Sequence, residues 1–392
     1  MLTSLALIFL MGLVLGELFK QIKLPRLLGM IIAGMILSPY GFDLLSPSII
    51  NISADLRQMA LIIILTRAGL SLNVDDLKRV GRPAILMSFL PACFEIIGVT
   101  LIASRLLNIS ILDATIMGSI LSAVSPAVVI PRMIRIMDEG YGKEAGIPQL
   151  IIASASIDDI FVIVLFSTLT SIAVSGNAAL SGILQIPSSI LLGVLIGISF
   201  GLGVITFFER FQIRDTIKVI IIVSISFLLV EVQNILENIV IISGLIAIMS
   251  IGVTIAQKNI LLAKVLSSTY NKLWIGAEIL LFVLVGATVD LSYALQAGLY
   301  AIIIILGGLI FRILGVYISL LKTKFTRKEK IFCMITYTAK ATVQAAIGPV
   351  PLAIGLAHGQ EILIVAVLSI LITAPLGALG IDNLYTKLLK LE

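Results

Sequence analysis

Charge is what this chain has least of. Among its 392 residues only 12% are Asp, Glu, Lys or Arg, against about 25% in ordinary soluble domains. A disordered chain and a nucleic-acid binder are excluded on that ground. Histidine occurs once, at His358, which leaves no basis for a histidine metal site or a histidine general base. Cys93 and Cys333 both sit in apolar runs and read as packing residues rather than a bridge, so a disulfide scaffold is excluded as well. No phosphate-binding glycine loop is present, and no nucleophile, histidine or metal constellation, so neither ATP-driven work, nor enzymatic chemistry, nor a cofactor is expected. The start, Met1-Leu2-Thr3-Ser4, has no basic stretch and no small-residue cleavage pattern after its apolar run, so it reads as a retained first span.

What the chain does have is apolar sequence: 59% hydrophobic residues and a mean hydropathy of +1.17. Runs of this kind, each near the roughly 20 residues that cross a bilayer as a helix, define an all-α polytopic membrane protein. Thirteen segments separate, the first from Leu2 to Phe19 and the last from Ile362 to Leu379. Those used below are three (Met59 to Leu72), four (Ala84 to Ala103), five (Ile111 to Pro131), six (Ile147 to Val174), ten (Leu273 to Val289), eleven (Leu299 to Leu321) and twelve (Ile331 to Leu356). Loops after odd-numbered segments hold 22 of the 27 Lys and Arg residues, including Lys78, Arg79 and Lys143. The positive-inside rule then places the N-terminus outside and the C-terminus in the cytoplasm, and it accounts for the net charge of +5 without an anionic partner.

Removing the loop charges isolates those that matter. Arg67, Arg312 and Lys340 lie inside apolar segments, as do Glu95, Asp158 and Asp159. An ionisable group at the centre of a span costs about 2.5–3.5 kcal/mol on insertion scales, so it faces protein or a wet cavity and carries function. At about 1.5 Å rise per residue, Glu95, Asp158, Asp159, Arg312 and Lys340 all fall roughly 14–20 Å deep. Asp158 and Asp159 are adjacent and so point about 100° apart, one toward a cavity and one toward a neighbouring helix. Two carboxylates in a dry bundle suit a small hard cation or protons. Glu95 and Arg312 are expected to pair and hold segments four and eleven in register. Arg67 is expected to snorkel to the surface, and Glu17 and Glu278, nearer segment ends, to be solvated or capping. Ser125, Ser154, Ser156 and Thr342 are weaker candidates for oxygen ligands or cavity lining.

Two segments look broken: five, through Pro126 and Pro131, and twelve, through Gly348, Pro349 and Pro351. If segments one to six and eight to thirteen are repeats joined by segment seven, five corresponds to twelve and four to eleven, and the shift inverts orientation. Two inverted-topology repeats of six with a connecting helix and two crossing broken helices are the pattern of secondary transporters, whose site lies at the midplane.

These residues resemble the cation/proton antiporter superfamily over most of the chain. The pair Asp158 and Asp159 is similar to the double-aspartate motif of its electrogenic bacterial sodium/proton antiporters. AVSPAVVIPRM (123–133), GYGKEAGIPQL (140–150), SIDDI (156–160) and AKATVQAAIGPVPLA (339–353) resemble the NHA-type sodium, lithium/proton exchangers. The resemblance implies a homodimer with a dimerisation scaffold and a six-helix core that moves as an elevator. It implies Asp159 as principal carrier of cation and proton with Asp158 beside it, Lys340 on the broken helix facing the aspartates, and Glu95 with Arg312 as a core ion pair. Ser125 stands where many members have an acidic residue, which removes one charge from the site.

The expected function is exchange of Na+ or Li+ for H+ across the plasma membrane, with Asp158 and Asp159 as ligands of the transported ion and lipid as the surrounding medium. The expected division is 1–80 scaffold and 81–176 core of the first repeat, 177–212 connecting helix, 213–292 scaffold and 293–392 core of the second. A K+/H+ antiporter on the same fold, a sodium-coupled organic-anion symporter and a gated cation channel are the rival readings.

Overall fold

The structure, a computed structural model, describes residues 1–71, 81–142, 144–175, 180–211, 213–236 and 242–391. Lys78, Arg79 and Lys143 lie outside the described residues. The described chain is helical throughout: α1 (Leu2–Gln21), α2 (Arg26–Leu37), α3 (Pro47–Asn51), α4 (Ser53–Ser71), α5 (Arg82–Met87), α6 (Leu90–Leu106), α7 (Ile111–Leu121), α8 (Pro126–Asp138) and α9 (Ile147–Ser175). There follow α10 (Leu180–Arg210), α11 (Asp215–Leu236), α12 (Gly244–Lys258), α13 (Ile260–Ala287), α14 (Leu291–Ser319), α15 (Arg327–Thr336), α16 (Thr342–Ile347), α17 (Val350–Ala353) and α18 (Gly359–Leu388). Among the described residues, eight stretches are long and apolar enough to cross a bilayer, from Leu2–Gln21 to Gly359–Leu388.

Burial follows the logic of lipid rather than water. Leu10, Leu13, Leu191, Leu299 and Ile310 are exposed, while Glu95, Asp158, Arg312 and Lys340 are at most 1% exposed. A soluble protein does the reverse, because water rewards exposed charge and penalises exposed leucine.

Packing divides the chain into two compact units. One comprises the described residues of Met1–Ala54, Asp75–Ile163 and Ile279–Glu392; the other comprises those of Asp55–Val74 and Val164–Glu278. Residues 1–54 thus pack in the same unit as α6 to α8 and α14 to α18, a grouping by contact rather than by repeat.

In the second unit α10 packs on α12, and α4 crosses α12 where a methyl on Gly69 would lie 2.3 Å from the Met249 carbonyl oxygen. Here the sequence expectation for Glu278 is corrected. Segment ten is only the apolar end of a helix that begins at Ile260, so Glu278 sits well inside α13, half-buried, and its field acts on half-buried Arg67. The amphipathic first turns, with Lys264 and Lys272, hid the helix from a hydropathy reading. Glu17, by contrast, is exposed and pairs with Arg26 at 2.6 Å and Lys20 at 3.4 Å, a solvated position as expected.

In the first unit the close crossing of α6 and α14 positions the site. A methyl on Gly98 would lie 2.5 Å from the Phe311 ring, and one on Gly315 would lie 2.7 Å from the Pro91 Cα. Without a hydrophobic force between helices in lipid, such backbone approach is what lets dispersion contacts hold them together. It also brings Glu95 on α6 opposite Arg312 on α14.

Both expected breaks are present, and both are displaced from the expected residues. The first lies at residues 122–125, before Pro126, which occupies the first turn of α8; Pro131 stays inside that helix. Proline is compatible with a helix start because the first amides have no partner there, so Pro126 restarts the helix rather than ending it. The main interruption of segment twelve is at residues 337–341, where there is neither proline nor glycine. Gly348 and Pro349 mark only the later step between α16 and α17. A third interruption, at Ser88 and Phe89, precedes Pro91 at the start of α6.

Candidate functional site

The two interruptions meet. The Ser125 amide donates to the Ala339 carbonyl at 2.8 Å, and the Ser125 and Thr342 hydroxyls stand 3.5 Å apart. Each interrupted helix frees backbone carbonyls that lipid cannot satisfy. The last carbonyls of α7 and its following segment are instead capped by side chains from other helices. Arg312 donates to Ser122, Lys340 to Leu121, and Gln344 to Ile120 and Ala123 at 3.0 and 2.9 Å. Two of these three caps are cationic, which suits the negative end of a helix dipole.

Around this crossing the buried charges form one chain of contacts. Lys340 Nζ lies 2.6 Å from Glu95 Oε1, Glu95 Oε2 accepts from Arg312 Nη1 at 3.1 Å, and Arg312 Nη2 donates to Asp158 Oδ2 at 3.0 Å. The Val124 amide also donates to Asp158 Oδ2, at 2.8 Å. Arg312 is itself fixed by donating Nε to the Tyr337 carbonyl at 2.6 Å, with its guanidinium 5.3 Å from the Tyr337 ring centre. The Lys340 amide donates to Thr373 on α18 at 3.0 Å, which anchors the second interruption from behind.

The sequence-level candidates separate clearly. Glu95 and Arg312 meet, but Arg312 is shared with Asp158 instead of belonging to Glu95 alone. Lys340 was expected to face the aspartates and is placed on Glu95; Arg312 is the cation bonded to Asp158. Lys340 and Asp158 still lie close enough for their charges to interact, but the contact within 4 Å is to Glu95. Asp158 is fully buried, with Oδ1 unpartnered. Asp159 is half-buried, its Oδ1 also lacks a hydrogen bond, and no ion pair reaches it within 4 Å among the described residues. The 100° between neighbours on a helix has sent one carboxylate into the network and left the other outside it.

Of the four hydroxyls, Ser125 and Thr342 lie at the crossing. Ser156 donates back to Ile152 at 3.0 Å, and Ser154 donates to Leu150 at 2.6 Å while accepting from the Tyr337 hydroxyl. Ser156 is therefore engaged within α9, whereas Ser154 also ties α9 to Tyr337 at the second interruption. Three participants escaped the sequence reading: Tyr337, Gln344 and the Val124 amide. Gln344 carried a usable signal, a lone amide four residues after Lys340 in an apolar run; the Val124 amide carried none.

An all-helical chain with paired aspartates and a neutral charge chain at two meeting interruptions has the attributes of a secondary cation/proton antiporter. The fold agrees. The structure of the sodium proton antiporter MjNhaP1 from Methanocaldococcus jannaschii at pH 8 superposes with a TM-score of 0.82, covering 98% of each chain at 18% sequence identity. The family "Sodium/hydrogen exchanger, transmembrane" matches residues 5–385. Human sodium/hydrogen exchanger 9B2 is 32% identical over 400 residues, 96% of this chain and 73% of that protein. Human sodium/hydrogen exchanger 9B1 is 31% identical over 405 residues, 98% of this chain and 78% of that protein. The chain belongs to the sodium/hydrogen exchanger family and is a multi-pass membrane antiporter of the NHA type.

Proposed function

We propose that this protein exchanges Na+ or Li+ for H+ across the plasma membrane, with Asp159 as the group that alternately holds the cation and the proton. The observation that carries the reading is the charge balance of the site. Lys340 and Arg312 offset Glu95 and Asp158, so the chain of contacts is neutral without Asp159. An ionised Asp159 therefore adds one uncompensated negative charge, which one alkali cation or one proton cancels. Ionised Asp159 binds the cation; protonation releases it, and in either loaded form the core crosses without a net charge of its own. Asp158, held by Arg312 and the Val124 amide, supplies its free Oδ1 beside it.

The same balance supports one-for-one exchange, since Lys340 is committed to Glu95 and Asp158 to Arg312. Movement would be an elevator of the core helices in 81–176 and 293–392 against scaffold helices in 1–80 and 213–292, linked by 177–212. Thirteen spans in two inverted repeats, a homodimer, an outward N-terminus and a cytoplasmic C-terminus complete the proposal. The last two rest on the alternation of basic loops.

Proteoliposomes with an internal pH dye test it. Addition of Na+ or Li+ should change internal pH in the wild type, and Asp159→Asn should abolish the change. Near wild-type exchange in that variant would sink the assignment to Asp159. A response to K+ alone would favour the K+/H+ alternative. An imposed potential, worth about 2.3 kcal/mol per net charge per 100 mV, should leave one-for-one exchange unaltered.

A further inference from the structure

We propose that Gln344 is a positioning residue for cation binding, which aims the Val124 amide at Asp158. The inference rests on the reading of the aspartate pair as the ion site and goes beyond it. Gln344 is fully buried on α16, and its Nε2 lies 2.9 Å from the Ala123 carbonyl, 3.0 Å from that of Ile120 and 3.4 Å from that of Leu121. The Ala123 carbonyl and the Val124 N–H belong to one peptide unit. Across a planar trans peptide the two point in opposite directions, so holding the oxygen sets the direction of the hydrogen. That hydrogen is the one donated to Asp158 Oδ2 at 2.8 Å. Gln344, one peptide plane and Asp158 thus form a hydrogen-bonded relay, and each bond polarises the next.

Side-chain chemistry explains why an amide stands there. The carbonyls of Leu121 and Ser122 are capped by Lys340 and Arg312, whose charges are already matched by Glu95 and Asp158. A third cation would unbalance the site by one unit, and a carboxylate would be repelled by the carbonyls it faces. A neutral amide supplies two donors and no charge. Its own Oε1 has no partner, so the side chain is held by its donors alone. The Ala123 carbonyl and the Val124 amide make no helical bond, so Gln344 on one side and Asp158 on the other hold this peptide plane, and losing Gln344 leaves it held at one end only.

The test compares Gln344→Met, which keeps the approximate shape without donors, with Gln344→Asn, which keeps the amide but falls one methylene short. Initial rates of Na+-driven pH change in proteoliposomes are recorded across Na+ concentrations, beside thermal unfolding of the same preparations. The loss of one bond to a charged site should raise KM for Na+ about tenfold in Gln344→Met, with the maximal rate per folded protein falling less than about threefold. Gln344→Asn should fall between Met and wild type, and it carries the test if the Met variant does not fold. KM within about twofold of wild type in the variants that fold would overturn the proposal, even if their melting temperatures drop, because a plain helix cap affects folded amount and not affinity. Wild type and Asp159→Asn are run alongside. If wild type exchanges no cation, the functional reading falls and this inference with it; if wild type exchanges, Asp159→Asn does not, and KM is flat, this inference alone falls.

Discussion

Two clusters of opposite charge lie in the same compact unit, and they differ in almost everything except residue type. At the crossing, Lys340, Glu95, Arg312 and Asp158 are 0–1% exposed and joined by contacts of 2.6–3.1 Å. At the far end of α8, Asp382 on α18 receives Arg132 at 3.2 Å and Arg135 at 2.8 Å, with side-chain exposures of 18% for Arg132, 47% for Arg135 and 24% for Asp382. Arg135 also reaches Glu139 at 3.6 Å and sits 5.7 Å from the Tyr385 ring centre, and the Tyr385 hydroxyl donates to Glu139 at 2.7 Å. Solvent can replace any partner in the second cluster. In the first nothing can, so each charge depends on the specific atoms facing it.

This contrast sets the order of expected effects. Arg312→Met should be the most damaging to folding, because it leaves Asp158 without an ion-pair partner, leaves Glu95 with Lys340 alone, and uncaps the Tyr337 and Ser122 carbonyls. Removing one partner of a buried ion pair costs about 3–5 kcal/mol, readable as lost thermal stability in detergent. Glu95→Gln comes next, at about 3 kcal/mol, since Lys340 loses its carboxylate. Adding Lys340→Met to Glu95→Gln should recover part of that loss, with a coupling of about 1–3 kcal/mol between the two sites. Strict additivity would show that Lys340 and Glu95 are neighbours without being partners. Asp382→Asn should cost less than about 1 kcal/mol, as both arginines keep access to water, Arg135 keeps Glu139 and Arg132 keeps the Val128 carbonyl. If instead it destabilises as much as Arg312→Met, burial is not what separates the clusters.

Asp159→Asn sharpens the comparison from the other side. Removing a charge that has no hydrogen bond at Oδ1 and no ion pair should leave thermal stability within about 0.5 kcal/mol of wild type while exchange is lost. A stability loss like that of Glu95→Gln would mean that Asp159 belongs to the structural chain after all.

Much of the site was legible because charge is scarce in this chain. Depth alone isolated Glu95, Asp158, Asp159, Arg312 and Lys340, and these five gather around one crossing apart from Asp159, which stands beside it. Their pairing was not legible. Lys340 is separated from Glu95 by more than two hundred residues, and which carboxylate it meets depends on how the interruption at 337–341 lies against α6. The interruptions were foreseen through proline but mislocated, because at 337–341 the chain leaves the helix without any helix-breaking residue. Tertiary bonds from Arg312 to the Tyr337 carbonyl and from Ser125 to Ala339 hold that segment open. Glu278 was misjudged for a different reason: hydropathy sees only the apolar part of α13.

The sequence by itself determined that this is a helical membrane protein with ionisable groups buried at mid-depth, because the cost of a charge in lipid depends on residue type and distance along a helix. Only the tertiary structure decided which charges cancel, which aspartate is left over, and which peptide plane is turned toward it. Those outcomes depend on contacts of about 3 Å between helices far apart in the chain, and hydrogen-bond energy falls away within a fraction of that distance.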